Sequence, residues 1–138
     1  MTDTDCIFCK IALGQISAVK LYEDQVILAF LDTGPISDGH TLVIPKEHFA
    51  GLHQCTHEVL TQITSKIGKI ARAVVDAVQA DGYNLLCNNG PAAGQLVEHL
   101  HFHIIPRNTG DKLFDRWPAY EYEKGKAETI AEKIRRKL

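Results

Sequence analysis

Between residues 56 and 80 the apolar side chains Val59, Leu60, Ile63, Ile67, Ile70, Ala71, Val74, Val75 and Val78 return at intervals of three and four. That period gathers them on one stripe of a helix and leaves the opposite face polar. The stripe must be covered by a second apolar surface. The rest of the chain offers short β-prone runs for this, at 19–22, 25–31 and 41–44 before the helix and at 83–87 and 100–105 after it. One long helix on about five strands is an α+β arrangement. Glu23-Asp24 between the first two runs predicts a hairpin, and hence mainly antiparallel pairing, while Asp81-Gly82 is expected to stop the helix. Residues 7–13 and 126–138 are expected to form short terminal helices, the second carrying Ile130, Ile134 and Leu138. A βαβ nucleotide-binding unit is disfavoured, because no glycine-rich fingerprint follows a first strand.

At 138 residues the soft expectation is one domain, and 45% hydrophobic residues suffice for its core. Charge is nearly balanced, 15 Lys+Arg against 17 Asp+Glu, with no basic block able to neutralise a run of phosphates. A dedicated nucleic-acid binder is thereby disfavoured, and a small anionic ligand is not. No stretch has the length and apolarity of a membrane span, and residues 1–5 do not resemble a secretory leader, so a cytoplasmic protein is expected. In such a compartment the four cysteines read as thiols or metal ligands rather than disulfides.

The seven histidines stand out, three of them within five residues in Glu98-His99-Leu100-His101-Phe102-His103-Ile104-Ile105-Pro106. In a strand His99, His101 and His103 would share one face, with Leu100, Phe102 and Ile104 on the other. A single such histidine would be read as a satisfied or solvated residue; three in strict alternation point to one bound group across their ring tips. Neighbouring imidazoles disfavour simultaneous protonation, so at least one is expected to be neutral near pH 7 and able to act as a nucleophile. The same residues would also suit a three-histidine catalytic zinc site, and spacing does not separate the two readings.

His99-Leu100-His101-Phe102-His103-Ile104-Ile105 resembles the signature of the histidine triad (HIT) family of nucleotide hydrolases and transferases. Cys6-Ile7-Phe8-Cys9-Lys10-Ile11, Leu28-Ala29-Phe30-Leu31-Asp32, Gly39-His40-Thr41-Leu42-Val43-Ile44-Pro45-Lys46-Glu47-His48 and Asn88-Asn89-Gly90 resemble further landmarks in family order. The resemblance implies one HIT domain over 1–138, with a core at about 6–107, a tail at 108–138, and two sheets joined across a homodimer. It implies that His101 attacks the α-phosphorus of a purine nucleotide, forming a nucleotidyl-histidine that water hydrolyses. His103 would bond the phosphate oxygens, and His40 would orient the other ring nitrogen of the nucleophile. Asn88, Gly94 and Gln95 would supply amide donors, Asp32 would hold the ribose hydroxyls, and Ile7, Phe8, Ile11, Phe30 and Leu42 would wall the purine.

In the zinc-containing branch the resemblance further implies a closed structural Zn2+ site from Cys6, Cys9, His48 and His99. One position departs from the family pattern: Leu96 stands where a Ser or Thr hydroxyl often reaches the leaving group, and a leucine can make no hydrogen bond. The layout resembles the purine nucleoside phosphoramidase branch, which releases AMP or GMP, more than the dinucleoside polyphosphate hydrolases. Dinucleoside polyphosphate hydrolysis and a regulatory nucleotide binder with little turnover are the competing expectations. His53 and His57 read as solvated or capping residues, and Trp117, Tyr120 and Tyr122 as a tail packed on the body.

Overall fold

The computed structural model describes residues 5–114 and 118–138. Five strands, β1 Lys20–Glu23, β2 Ile27–Leu31, β3 Thr41–Pro45, β4 Gly82–Leu86 and β5 Phe102–Arg107, form one sheet in the order β1-β2-β3-β5-β4. Every neighbouring pair is antiparallel. The helices are α1 Ile7–Ala12, α2 His57–Val78 and α3 Lys126–Arg135. The α+β expectation therefore holds.

The hairpin between β1 and β2 is organised by Asp24. Its Oδ1 accepts the amides of Val26 and Ile27 at 2.8 and 2.9 Å, and its Oδ2 accepts Tyr22 Oη at 2.9 Å and Lys66 Nζ at 2.6 Å. A turn is thus tied to α2 by one carboxylate. Helix α2 begins after Thr56, whose hydroxyl accepts the Val59 amide at 3.3 Å. His57 is the first helical residue rather than the cap. The helix stops at Gln79, which adopts a left-handed conformation with φ 54°, and not at Asp81-Gly82. The physical reason is pairing: the Asp81 amide already bonds Arg107 O at 3.0 Å, and Gly82 opens β4 opposite Arg107.

The central strands are buried on both faces, which is why β2 and β3 read as continuous apolar runs. Ile27, Ala29, Val43, Leu100 and Ile104 pack with Ile63, Ile67, Ile70, Ala71 and Val74 of α2. Leu28, Phe30, Leu42 and Ile44 pack on the opposite face with Phe8 and Ile11 of α1. A fully buried isoleucine such as Ile63 contributes about 1.5–3 kcal/mol. One layer of helix covers one face, and the short α1 leaves part of the other face to the histidines.

Strand β5 starts at Phe102, two residues later than expected, so His99 and His101 precede it. The Leu100 amide is held by Phe49 O at 2.6 Å and the His99 amide by Val97 O at 2.8 Å, which removes both from the ladder. Alternation nevertheless persists: Leu100 and Ile104 face α2, while His99 and His101 face Phe8. In the tail, α3 has no buried residue and ends before 138. Tyr120 and Tyr122 are exposed and touch each other edge to face, contrary to a packed tail, and Trp117 lies outside the described residues. Among the described residues no helix is long and apolar enough to cross a membrane.

Candidate functional site

Two histidine clusters lie side by side on the α1 face, with Phe8 between them. The Phe8 ring makes edge contacts with His99 at 5.9 Å, His101 at 5.2 Å and Phe30 at 5.6 Å between centroids. The first cluster joins the start of α1 to the segments after β3 and before β5. His99 Nδ1 lies 3.4 Å from Cys6 Sγ and 3.5 Å from Cys9 Sγ, and His48 Nδ1 lies 3.5 Å from Cys9 Sγ. All four donor atoms fall within 4.8 Å of one another. In tetrahedral zinc with ordinary Zn–S and Zn–N bonds, a sulfur–nitrogen edge is about 3.6 Å. The Cys6, Cys9, His48 and His99 donors therefore fit Zn2+ in kind, number and spacing. His99 Nε2–H donates to Pro45 O at 2.8 Å, which leaves the Nδ1 lone pair on the thiol side, the arrangement a metal-ligating imidazole requires. Burial pushes His99 down to about 4, so the lone pair is available at neutral pH.

The second cluster contains the other triad members. His101 Nδ1 lies 2.6 Å from the carbonyl of His99, an acceptor, so Nδ1 carries the proton and Nε2 keeps its lone pair. His40, at the head of β3, receives the Ile36 amide on Nδ1 at 3.2 Å; its proton is therefore on Nε2, which donates to His103 Nδ1 at 2.9 Å. His103 in turn bears its proton on Nε2. Burial lowers His40, the Asp32 carboxylate opposing it, and pushes His103 down to about 4 with help from repulsion by His101 and His40. A lone pair on one ring thus stands beside an N–H on the next, with centroids 4.9 Å apart. This corrects one expectation: His40 orients His103, and the nucleophile candidate is oriented by a backbone carbonyl.

Asp32 Oδ2 lies 3.6 Å from His40 Nε2, so Asp32, His40 and His103 also bring three potential metal donors together. The Ile36 amide argues against a metal there. A neutral imidazole bound to metal through Nε2 needs its proton on Nδ1, where it would face a second N–H. Nor do the three triad rings converge: among the described residues His99 groups with the thiols and His103 with Asp32 and His40.

A pocket of about 300 Å³ opens over this second cluster, lined by Ile7, Phe8, Ile11, Phe30, Asp32 and Leu42 together with Gly94, His101 and His103. Most of the residues expected around a nucleotide are thus gathered in one place. Leu96 lines it, as its place beside the leaving group implies, and Ile16, Ser17, Ala18, Thr33 and Val97 line it as well and were not anticipated. The available signal was Gly14, whose left-handed φ of 74° turns the chain back after α1. Asn88 sits just beyond β4, its Nδ2 3.6 Å from where a Cβ on Gly94 would lie. Its carboxamide bonds no other described residue.

Gly94 and Gln95 do not supply the expected donors. Their amides bond Pro91 O at 3.0 Å and Gly90 O at 3.2 Å, closing the turn that contains them. The Gln95 side chain points away from the pocket, to Ala50 O and the Gly90 amide, each at 2.7 Å. Leu96 is 95% exposed at the pocket mouth. His53 lies in a separate hollow and His57 on the exposed start of α2.

The HIT domain profile matches residues 13–110. The chain is 48% identical over 110 residues to an Arabidopsis thaliana protein named adenylylsulfatase HINT3, a span of 80% of this chain and about half, 56%, of that relative. It is 43% identical over 134 residues to the adenosine 5'-monophosphoramidase hnt1 of Schizosaccharomyces pombe, covering 96% of this chain and 98% of the relative. A HIT family structure from Bacillus subtilis superposes with TM-score 0.90 at 42% identity, covering 97% of both chains. A Zn-bound histidine triad family protein from Mycobacterium smegmatis superposes with TM-score 0.74 at 38% identity, covering 91% of this chain and 87% of its own. With its histidine signature, antiparallel sheet and paired histidine clusters alongside these matches, the chain belongs to the HIT domain family.

Proposed function

We propose that this protein is a purine nucleoside phosphoramidase that cleaves the P–N bond at the α-phosphorus and releases AMP or GMP. The observation that carries the reading is the tautomer pairing: a lone pair on His101 Nε2 beside an N–H on His103 Nε2, both lining a pocket that ends in Asp32. His101 Nε2 forms a bond to phosphorus, the P–N bond breaks, and its electron pair leaves with the amine, which takes up a proton. Water then attacks the phosphorus and releases a proton to solvent, the P–His101 bond breaks, and His101 recovers its lone pair. His103 donates to a phosphoryl oxygen as negative charge builds there, and the free Asn88 amide reaches the same group. Asp32 accepts the ribose hydroxyls, and Phe8, Phe30, Ile11 and Leu42 enclose the base. Burial keeps His103 neutral, so its donor role persists at and below neutral pH.

Cys6, Cys9, His48 and His99 would hold Zn2+, which supplies structural cross-linking and leaves the chemical step to the second cluster. Four cysteines without a disulfide suit a reducing compartment, which supports a cytoplasmic protein. The sheet edge at β4 carries exposed Tyr83 and Leu85, and pairing of two such edges would join two sheets in a homodimer. A second reading, with a sulfate or nucleotide leaving group, is favoured by the exposed Leu96, since position 96 offers no hydroxyl to a leaving amine.

Single-turnover hydrolysis of adenosine phosphoramidate, with mass-spectrometric trapping of the intermediate, tests the mechanism. Adenylyl mass on the peptide containing His101 is expected; unchanged turnover in His101→Ala would refute the nucleophile. A panel of guanosine phosphoramidate, adenylyl sulfate and dinucleoside polyphosphates then ranks the leaving groups.

A further inference from the structure

We infer that Gln95 is a positioning residue, which holds the phosphate-side loop in place without touching the nucleotide; the inference rests on the nucleotide-hydrolase reading of the pocket. The loop from 88 to 97 carries Asn88 and three pocket-lining residues, Gly94, Leu96 and Val97. Its turn runs through Pro91–Ala93 between two glycines with positive φ, Gly90 at 84° and Gly94 at 85°. Glycine at both positions allows the conformation but does not enforce it. Enforcement comes from Gln95, which closes the ring on both backbone groups of Gly90: its amide donates to Gly90 O at 3.2 Å and its Oε1 accepts the Gly90 amide at 2.7 Å.

The other half of the carboxamide reaches out of the loop. Nε2 donates to Ala50 O at 2.7 Å, so both functions of the side chain are consumed by backbone. A parallel tie lies beside it, where Asn89 Oδ1 accepts the Leu52 amide at 2.7 Å. That approach depends on Gly51, where a Cβ would stand 2.9 Å from Asn89 Oδ1. The anchoring segment is itself fixed: His48 belongs to the thiol cluster, and Phe49 O holds the Leu100 amide at 2.6 Å. Residues 48–52 therefore form a seam that joins the metal donors, the entry to the catalytic strand and the phosphate-side loop. With Gln95 released, the loop would keep its covalent ends but lose the register that sets Gly94 in the pocket with His101 and His103, and Asn88 against Gly94.

The test uses Gln95→Met, which keeps the length and removes both hydrogen bonds, and Gln95→Glu, which retains the acceptor for Gly90 and sets a carboxylate against Ala50 O. Five quantities are measured on this chain: kcat and KM with adenosine phosphoramidate, AMP affinity, exchange of the Gly90 amide by NMR, and bound zinc. In Gln95→Met, kcat is expected to fall about tenfold to a hundredfold, the effect of a displacement of about 1 Å at a reacting centre, with KM and AMP affinity within about threefold. Gly90 exchange should accelerate at least about tenfold while zinc content stays unchanged. Unchanged Gly90 exchange, or faster exchange with unchanged kcat, overturns the proposal. Weakened AMP binding with unchanged exchange would make Gln95 a substrate contact and overturn it equally. Should Gln95→Met not fold, Gln95→Glu is read by kcat alone, because it keeps the Gly90 acceptor and breaks only the tie to Ala50 O; unchanged kcat then overturns the proposal. If the wild-type protein hydrolyses no phosphoramidate, the functional reading fails on its own, and Gly90 exchange together with AMP affinity still decides whether Gln95 braces the loop.

Discussion

His99 and His101 are two residues apart on one strand entry, face the same side of the sheet and flank the same phenylalanine, yet they belong to different chemistries. His99 gives its Nε2 proton to Pro45 O and turns the Nδ1 lone pair toward two thiols. His101 gives its Nδ1 proton to His99 O and keeps its lone pair on Nε2 over the pocket. In both, a carbonyl behind the ring frees a lone pair on the far nitrogen. His40 has the opposite arrangement, an amide behind the ring, and becomes a donor. The backbone group behind each imidazole separates a candidate metal donor, a candidate nucleophile and a hydrogen-bond donor, because a neutral ring has one proton and its position on one nitrogen settles the other.

The largest expected effect falls on the nucleophile. His101→Ala should lower the single-turnover rate by about three or more orders of magnitude while AMP affinity stays within tenfold and zinc is retained. Loss of zinc from that variant would show the two clusters to be one unit. The reverse substitution, Cys9→Ser, should remove most of the zinc, which is expected at about one ion per chain in the wild type, and lower Tm by about 10 °C or more. A wild-type protein free of zinc would break the metal half of the comparison.

His40→Ala takes away the donor that holds His103 in its tautomer, and kcat should fall about tenfold to a hundredfold with AMP binding little changed. A parallel loss in AMP affinity would place His40 against the ligand instead. The buried rings also predict a pH dependence. His103 and His99 titrate near 4 when folded and higher when unfolded, so between those values the unfolded chain binds more protons. Stability of the metal-free protein is therefore complete above about pH 6.5 and declines as pH falls toward 4. Denaturant titrations at pH 7.5 and 5 should show a smaller drop for His103→Gln than for the wild type. The smallest effect is expected at Leu96, where Leu96→Ser should move stability by no more than about 0.5 kcal/mol and alter only the ranking of leaving groups.

Much of this was legible before the fold. The period of α2, the apolar runs of β2 and β3, and the alternation at 99–104 each report a buried face, and burial writes directly into residue type. The resemblance supplied the metal set and the pocket walls, and the fold brings both together. Other features escaped because they depend on backbone groups, which every residue carries alike. Neither the amide that Ile36 presents to His40 nor the carbonyl that Ala50 presents to Gln95 leaves a mark in residue identity. The early end of α2 at Gln79 and the late start of β5 have the same origin, since Arg107 O had already claimed the Asp81 amide and Phe49 O the Leu100 amide.

What the amino-acid sequence alone determined was the inventory and its sorting: which side chains are apolar enough to be buried, and that three histidines share a face opposite the core. What the tertiary structure decided was the division of labour among those histidines. Side-chain chemistry is local, but the position of a proton on an imidazole depends on the group facing it, and folding brings that group from Pro45 to His99 and from Ile36 to His40.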